Sequence, residues 1–224
     1  GEVAVPVPVH APRPMTYAEK LLARHTVVDA ATGQVGLATV APGDGCFVQA
    51  DWRFSHEYVT PMAAAFLHKA LGAEAKVKDP ATVLAFRDHL TFLHHSMKAE
   101  HRAQGLLDVA QRLPGAQAAF CEAQGIRVHG ELPDGSGSEG ICHSIMAERY
   151  ALPGQVVVGT DSHTPHAGAL GCLAFGVGTT DIANAWVTGD VRVTVPGSLR
   201  VQLDGRLRPG VSAKDLVLHL LKDP

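Results

Sequence analysis

Two short runs in this chain have the residue types and spacing of acid–base chemistry. Asp161, Ser162 and His163 stand in "VVVGTDSHTPHAGALG", and Asp88 and His89 stand in "VLAFRDHL". Each run follows a stretch of apolar residues that reads as a buried strand, so carboxylate and imidazole arrive together at a strand's carboxyl end. A further histidine, His143, follows the glycine-bearing "GSEGIC". An imidazole held by a carboxylate keeps one tautomer and gains basicity, which is what general acid–base catalysis needs. An adjacent Asp and His do not easily bond within one extended pair, so each is expected to find its partner on another loop. Asp161 or Ser162 alone would read as a helix cap; with His163 and a glycine-rich exit the run reads as a site. His94, His95, His101, His129 and His166 lack such company and read as surface or internally satisfied histidines. The dense "DHLTFLHH" could instead ligate a divalent metal, a reading placed below the acid–base one.

The elements that must position these groups alternate between strands and helices, which predicts an α/β fold with a largely parallel sheet. "TYAEKLLARH" opens with Thr16 and Glu19 in capping-box spacing and predicts a helix. "PGDGCFVQADW" predicts a turn into a strand. "TPMAAAFLHKALG" predicts a helix with Thr60 as N-cap, Pro61 in first position and Gly72 as stop. "ATVLAF", "IRVHG" and "QVVVG" read as strands. The helical pattern of "AEHRAQGLLDVAQRL" is expected to break at Pro114-Gly115 and to resume in "AQAAFCEAQG". "GSEGICHSIMAERYALPG" predicts a glycine loop opening a helix. "GALGCLAFGVGTTDIANAWVTG" predicts two tightly packed helices. "VRVTVPGSLRVQLDGRLRPG" predicts strands joined by a hairpin at Asp204-Gly205, and "SAKDLVLHLL" a final helix capped by Ser212 and Asp215. In a parallel sheet the strand ends share one edge, so Asp88, His89, His143, Asp161, Ser162 and His163 are expected to converge on one cleft.

Composition narrows the function classes. A net charge of -3 with histidine neutral provides no electrostatic footprint for nucleic acid or an anionic membrane. An anionic small molecule must therefore be met by local groups. Cys46, Cys121, Cys142 and Cys172 are widely scattered, without a CxxC pair, and suggest neither a zinc ribbon nor a disulfide framework. Reduced thiols and the lack of a signal-like start suggest a cytoplasmic protein. No apolar stretch reaches the ~20 residues that span a bilayer. Residues 1–14, rich in proline, read as an extended arm, and 15–224 as one α/β region.

The run "GICHSIMAERYALPGQVVVGTDSHTPHAGALGCLAFGVGTTDIANAWVTG" resembles the aconitase superfamily, most of all the branch holding the large subunits of 3-isopropylmalate dehydratase and homoaconitase. The likeness continues through "VPGSLRVQLDGRLRPGVSAKD". Upstream, "MTYAEKLLARH", "PGDG", "ADWRFSHEYVTP" and "FRDHL" fall in the family's order. The resemblance implies a three-layer α/β/α architecture, the N-terminal part of the family's catalytic core. It also implies dehydration and rehydration of a hydroxy-polycarboxylate of the isopropylmalate, homocitrate or citrate type, assisted by a [4Fe-4S] cluster acting as a Lewis acid. By the same resemblance Asp88 and His89 handle the leaving hydroxyl, and His143 lies near the same oxygen. Asp161 and His163 surround the bound water, while Ser162 and His56 bind substrate. Val59 stands where the family usually has threonine. The family's GSCTN and CGPC-like cysteine segments have no counterpart, so none of the four cysteines matches a cluster ligand and no metal ligand is assigned. The implied partners are the polycarboxylate and a further C-terminal segment or a small swivelling subunit. Two other readings stay open: a cluster-free offshoot using the histidines and carboxylates alone, or a different metal, on a related acid, and a non-catalytic binding module, for whose RNA-binding form the acidic balance offers no support.

Overall fold

The computed structural model describes residues 7–222; the first six residues of the proline-rich arm and the last two of the chain lie outside it. The arm is tied down where described: His10 Nε2 pairs with Asp44 at 2.7 Å, and Arg13 donates to Glu19 and to the Val40 carbonyl. Helix α1 (Tyr17–His25) starts with the expected capping box, in which Thr16 Oγ1 accepts from Glu19 N and Glu19 accepts from Thr16 N. Strands β1 (Val27–Asp29) and β2 (Gln34–Val35) form a small antiparallel pair. Next come β3 (Gly45–Gln49), β4 (Trp52–His56), α2 (Thr60–Leu71) and β5 (Val83–Phe86). Short helices α3 (Leu93–Ser96) and α4 (Ala99–Ala103) lead into α5 (Leu106–Gln124) and β6 (Arg127–His129). Helix α6 (Cys142–Ile145) continues into a π turn, and β7 (Val156–Gly159) follows. A 3-10 segment (Thr164–Leu170), β8 (Leu173–Gly176), α7 (Thr179–Thr188), β9 (Asp190–Thr194) and α8 (Ala213–Lys222) complete the order.

Five strands form an all-parallel sheet in the order β6-β5-β4-β7-β8, flanked by helices: an α/β fold in three layers. Alternation along the strands assigns the layers. Val83, Ala85, Val156 and Val158 turn to one face, where they share a core with Ala63 and Leu67 of α2, Phe120 of α5 and Trp186 of α7. Phe54, Leu84, Phe86 and Val157 turn to the other and meet Cys142, Ile145, Met146 and Ala167. Strands covered on both faces lose the polar alternation of half-exposed ones, as the fully buried β5 and β7 show.

Several sequence expectations need correction. The central strand β4 was not anticipated, because Arg53, Ser55 and His56 break its apolar run although all are buried. Arg53 is only 2% exposed and donates to the carbonyls of Ala185, Lys78 and Asp79. Thr60 is not a cap: Val59 holds that position, and the Thr60 hydroxyl bonds the His56 carbonyl and receives the Gln117 amide. The helix break falls at Gly105, with φ +74, and α5 runs on through Pro114. "LAFG" is the parallel strand β8 rather than part of a helix, paired to β7 by Val158↔Phe175. No hairpin forms at Asp204-Gly205 either. Strand β9 pairs instead with β3, antiparallel through Val48↔Val191, and an isolated hairpin without a packed face is at best marginal.

Gly159 closes β7 where the layers are tightest. A Cβ there would fall 2.6 Å from Thr164 Oγ1 and closer still to the buried Phe54 ring. Gly159→Ala is expected to destabilise the fold by about 1–3 kcal/mol, the usual range for overpacking, read from the urea midpoint; an unchanged midpoint would mean the ring can yield.

Candidate active site

The strand order itself selects a place for a ligand. In chain order the parallel strands run β4, β5, β6 to one side of β4 and then β7, β8 to the other. The connections therefore part between β4 and β7, and open α/β sheets bind ligands outside the carboxyl ends at such a switch point. Register brings the ends level: His56 pairs with Phe86, Phe86 with His129, and Gly159 with Gly176. The segments leaving β4, β5 and β7 carry His56 and Glu57, then Asp88 and His89, then Asp161 to His163.

Asp161 is the hub. Its Oδ2 lies 3.2 Å from His89 Nε2, and its Oδ1 lies 2.9 Å from His143 Nε2. The same Oδ1 accepts the His163 backbone N–H at 2.7 Å, and His163 Nδ1 lies 3.3 Å away. Behind His89, Asp88 Oδ1 meets Nδ1 at 2.8 Å while Asp88 Oδ2 accepts from Cys142 N at 2.7 Å. This last bond joins the β5 loop to the start of α6, the turn that presents His143. Thus the structure brings Asp88, His89, His143, Asp161 and His163 together, with Ser162 Oγ 3.1 Å from His163 Nδ1. The expectation that adjacent Asp88 and His89 do not pair is wrong: the chain leaves the extended conformation after Phe86, and the two side chains fold toward each other.

Exposure separates the members. The Asp88 side chain is 3% exposed, whereas His163 is 80% exposed and stands at the rim with Ser162. His56 lies behind His89, its ring stacked on that imidazole with centroids 4.0 Å apart. His56 Nε2 faces the Thr160 carbonyl at 3.3 Å, and its buried Nδ1 has no partner among the described residues. Of the other histidines, His129 is internal and satisfied by Glu139 and Tyr150.

Carboxylates facing both ring nitrogens favour the doubly protonated, imidazolium form of His89. Burial opposes that charge, but the Asp88 bond and the charges of Asp88, Glu57 and Asp161 outweigh it and raise the His89 pKa. Burial likewise opposes ionisation of Asp161, yet the His163 N–H and the imidazoles of His143 and His89 bring its pKa down to about 2. Asp88 is also held below the usual carboxylate range, against burial, by the Cys142 N–H and by His89. For His56 burial and then the neighbouring His89 push the pKa down, which favours the neutral ring. The site therefore stacks an imidazole biased toward its charged form on one biased toward its neutral form.

Glu57 escaped the sequence reading. It is 0% exposed, and its carboxylate accepts the backbone N–H groups of Asp88, His89 and Leu90. Its position directly after His56 was the available signal.

Ligand-type atoms approach within 4.8 Å of one another in two groups among the described residues, His56–Glu57–His89 and His143–Asp161–His163. His94 and His95 join neither, so the "DHLTFLHH" run does not gather as a metal site. The cysteines do not fit a [4Fe-4S] cluster. All four are buried and free, on β3, α5, α6 and the approach to β8, and none joins a group of ligand-type atoms. Clusters need thiolates, but burial pushes the Cys121 pKa up to about 12, and burial with nearby Asp88 pushes Cys142 up as well.

Residues 19–223 match the profile of the aconitase family (aconitate hydratase). The chain is 32% identical over 214 residues to the chloroplastic 3-isopropylmalate dehydratase large subunit of Arabidopsis thaliana, covering 92% of this chain and 38% of that protein. It is 34% identical over 210 residues to 3-isopropylmalate dehydratase large subunit 1 of Pyrococcus furiosus, covering 93% and 43%. The large subunit of Syntrophus aciditrophicus is 35% identical over 208 residues, covering 92% and 43%. The chain spans about two fifths of the length of these curated relatives. A doubly wound parallel sheet with its acid–histidine cluster at the switch point, together with a match over nearly the whole sequence, places this chain in the aconitase family.

Proposed function

We propose that this chain forms part of a hydro-lyase that dehydrates and rehydrates a hydroxy-polycarboxylate of the isopropylmalate, homocitrate or citrate type. The observation that carries the reading is one carboxylate, Asp161, shared by His89 and His143, with Asp88 behind His89. Hydroxide is a poor leaving group, so elimination needs a proton delivered to the departing oxygen. The His89 imidazolium holds that proton at Nε2, and Asp88 fixes the ring through Nδ1. As the carbon–oxygen bond breaks, the oxygen leaves with the His89 proton as water. The carbon–hydrogen pair becomes the double bond, and its proton goes to a base outside the residues placed here. His143 Nε2–H shares Asp161 and supplies a second donor toward the same oxygen. Ser162 and His163 at the rim meet a substrate carboxylate, and His56 backs the His89 ring. In rehydration the steps reverse: water returns its proton to neutral His89 Nε2 as its oxygen bonds the carbon, and Asp161 stays ionised beside the re-formed imidazolium.

The matched relatives are named as large subunits, which supports a small-subunit partner. Among the described residues no helix is long and apolar enough to cross a membrane. Because the cysteines here do not form a cluster's ligand set, the assigned steps use side chains alone. Anaerobic reconstitution of the 224-residue chain is expected to yield no stoichiometric iron and acid-labile sulfide. A stoichiometric cluster dependent on all four cysteines would refute this.

The function itself is tested by absorbance of the unsaturated product. The protein, supplied with the later segments and small subunit of its family, is offered isopropylmalate, homocitrate and citrate. Turnover of one of them, lost on altering His89, is expected. A complex that assembles and turns over none would sink the proposal.

A further inference from the structure

Glu57 is a fully buried acid that takes no part in the proton steps above. Its Oε1 accepts from His89 N at 2.8 Å and from Leu90 N, and its Oε2 faces Asp88 N at 3.3 Å. Three consecutive backbone N–H groups thus converge on one carboxylate, an anion-cradling curl of the chain of the kind that binds phosphates elsewhere. Here the anion belongs to the protein. It comes from the residue following β4, and the curl it fills is the loop following β5, so the clamp spans two neighbouring strand ends.

We infer that Glu57 is the positioning residue that fixes the Asp88–His89 pair against Asp161. Both of its oxygens are occupied and the side chain is 0% exposed, so it cannot itself meet substrate. Without the clamp, the N–H groups of residues 88 to 90 have no other acceptor among the described residues, and a buried donor left unpaired is unfavourable. The loop would turn those groups toward water and carry the side chains with it. Two further contacts depend on the same loop position: the Asp88 bond to Cys142 N and the stack of His89 on His56. The groups facing His89 are Asp88, Asp161, Glu57, the His56 ring and the edge of Tyr58. Glutamine is nearly isosteric but presents an NH₂ where an acceptor is needed, placing donor against donor. Aspartate keeps the charge and falls short by one methylene.

The catalytic consequence rests on the proposed hydro-lyase reading; the clamp itself does not. Amide hydrogen exchange on the 224-residue chain tests the clamp without any substrate. In Glu57→Gln the amides of Asp88, His89 and Leu90 are expected to exchange about tenfold faster or more, since a charged acceptor has been lost. Val157 and Val158 in β7 should keep their protection. If β7 loses protection too, Glu57→Asp is read instead, with protection of the loop amides between the two. Loop protection equal to wild type in the folded variant would overturn the inference. In the assembled enzyme Glu57→Gln should lower kcat by about 10²-fold, as small displacements of catalytic groups do, with KM nearly unchanged and partial recovery in Glu57→Asp. A variant with a loosened loop and wild-type kcat would show that the clamp positions nothing of consequence. Absence of turnover in the wild-type enzyme would remove the proposed function while leaving the exchange result intact.

Discussion

Asp161→Asn is expected to lower turnover of the hydroxy acid by ~10²–10⁴-fold, the range for losing a positioned acid–base system. One carboxylate currently accepts from His89 Nε2, His143 Nε2 and the His163 N–H. An amide retains one oxygen and turns an NH₂ group toward the other donor, so one imidazole must rotate away or give up its proton. His89 would also lose one of its two flanking anions. The pH dependence of stability should change in a defined direction. The Asp161 pKa falls from 3.8 to about 2 on folding, so its contribution is present above 3.8 and is lost as pH falls through about 2. His89 has a raised pKa, so its contribution is complete below 6.5 and is lost as pH rises through the folded value. The difference between wild type and Asp161→Asn should therefore be widest between those limits, near pH 4 to 6.5, and narrow on both sides. Thermal melts across that range measure it. A stability gap independent of pH would mean that Asp161 is held by packing and not by its charged neighbours.

How much of this site could be read in the sequence depended on whether a residue's partner was local. The strand-end runs at Asp88 and Asp161 were legible because apolar stretches before them mark buried parallel strands, and parallel strands place their ends together. Pairing across loops was expected and is seen for His89 and His143 with Asp161; the pairing of Asp88 with its own neighbour was not. That Asp88 bonds its own neighbour follows from a loop conformation imposed by Glu57, 31 to 33 positions earlier, a distance no local pattern registers. Thr60 failed as a cap for a similar reason, since the hydroxyl is engaged by Gln117 from α5. Strand β4 was obscured by buried polar residues held by distant partners, Arg53 by helix-end carbonyls and His56 through Nε2 by the Thr160 carbonyl. Strand β8 was obscured by small residues: "LAFG" has neither strand alternation nor helical period, and Gly176 is there because Asp161 O would lie 2.8 Å from a Cβ. The glycine that hid the strand is thus one that lets the Asp161 loop approach it. Pro114 was misleading because a proline inside a helix usually breaks or kinks it, whereas α5 runs through it from Leu106 to Gln124.

His143→Ala separates chemistry from packing most directly. The side chain is 18% exposed, its Nε2 bonds Asp161, and its ring meets the Phe54 edge with centroids 6.2 Å apart. Those contacts allow two roles. If His143 supplies a proton to the departing hydroxyl, its loss should lower kcat by ~10²–10⁴-fold and alter KM little, because the interaction strengthens only as the carbon–oxygen bond breaks. If instead it fills space between Phe54 and the Asp161 loop, alanine should lower the melting point and leave turnover per folded molecule nearly intact. Steady-state dehydration by the assembled enzyme, with the folded fraction fixed by thermal melt, distinguishes the two. The acid–base role also predicts that Asp161→Asn and His143→Ala combined cost far less than the product of their separate effects. Residues acting through one shared proton network are not additive, and once Asp161 no longer orients the imidazole there is less for His143→Ala to remove. Fully multiplicative losses would mean that the two side chains act independently, and that the bond between them has no part in the proton transfer.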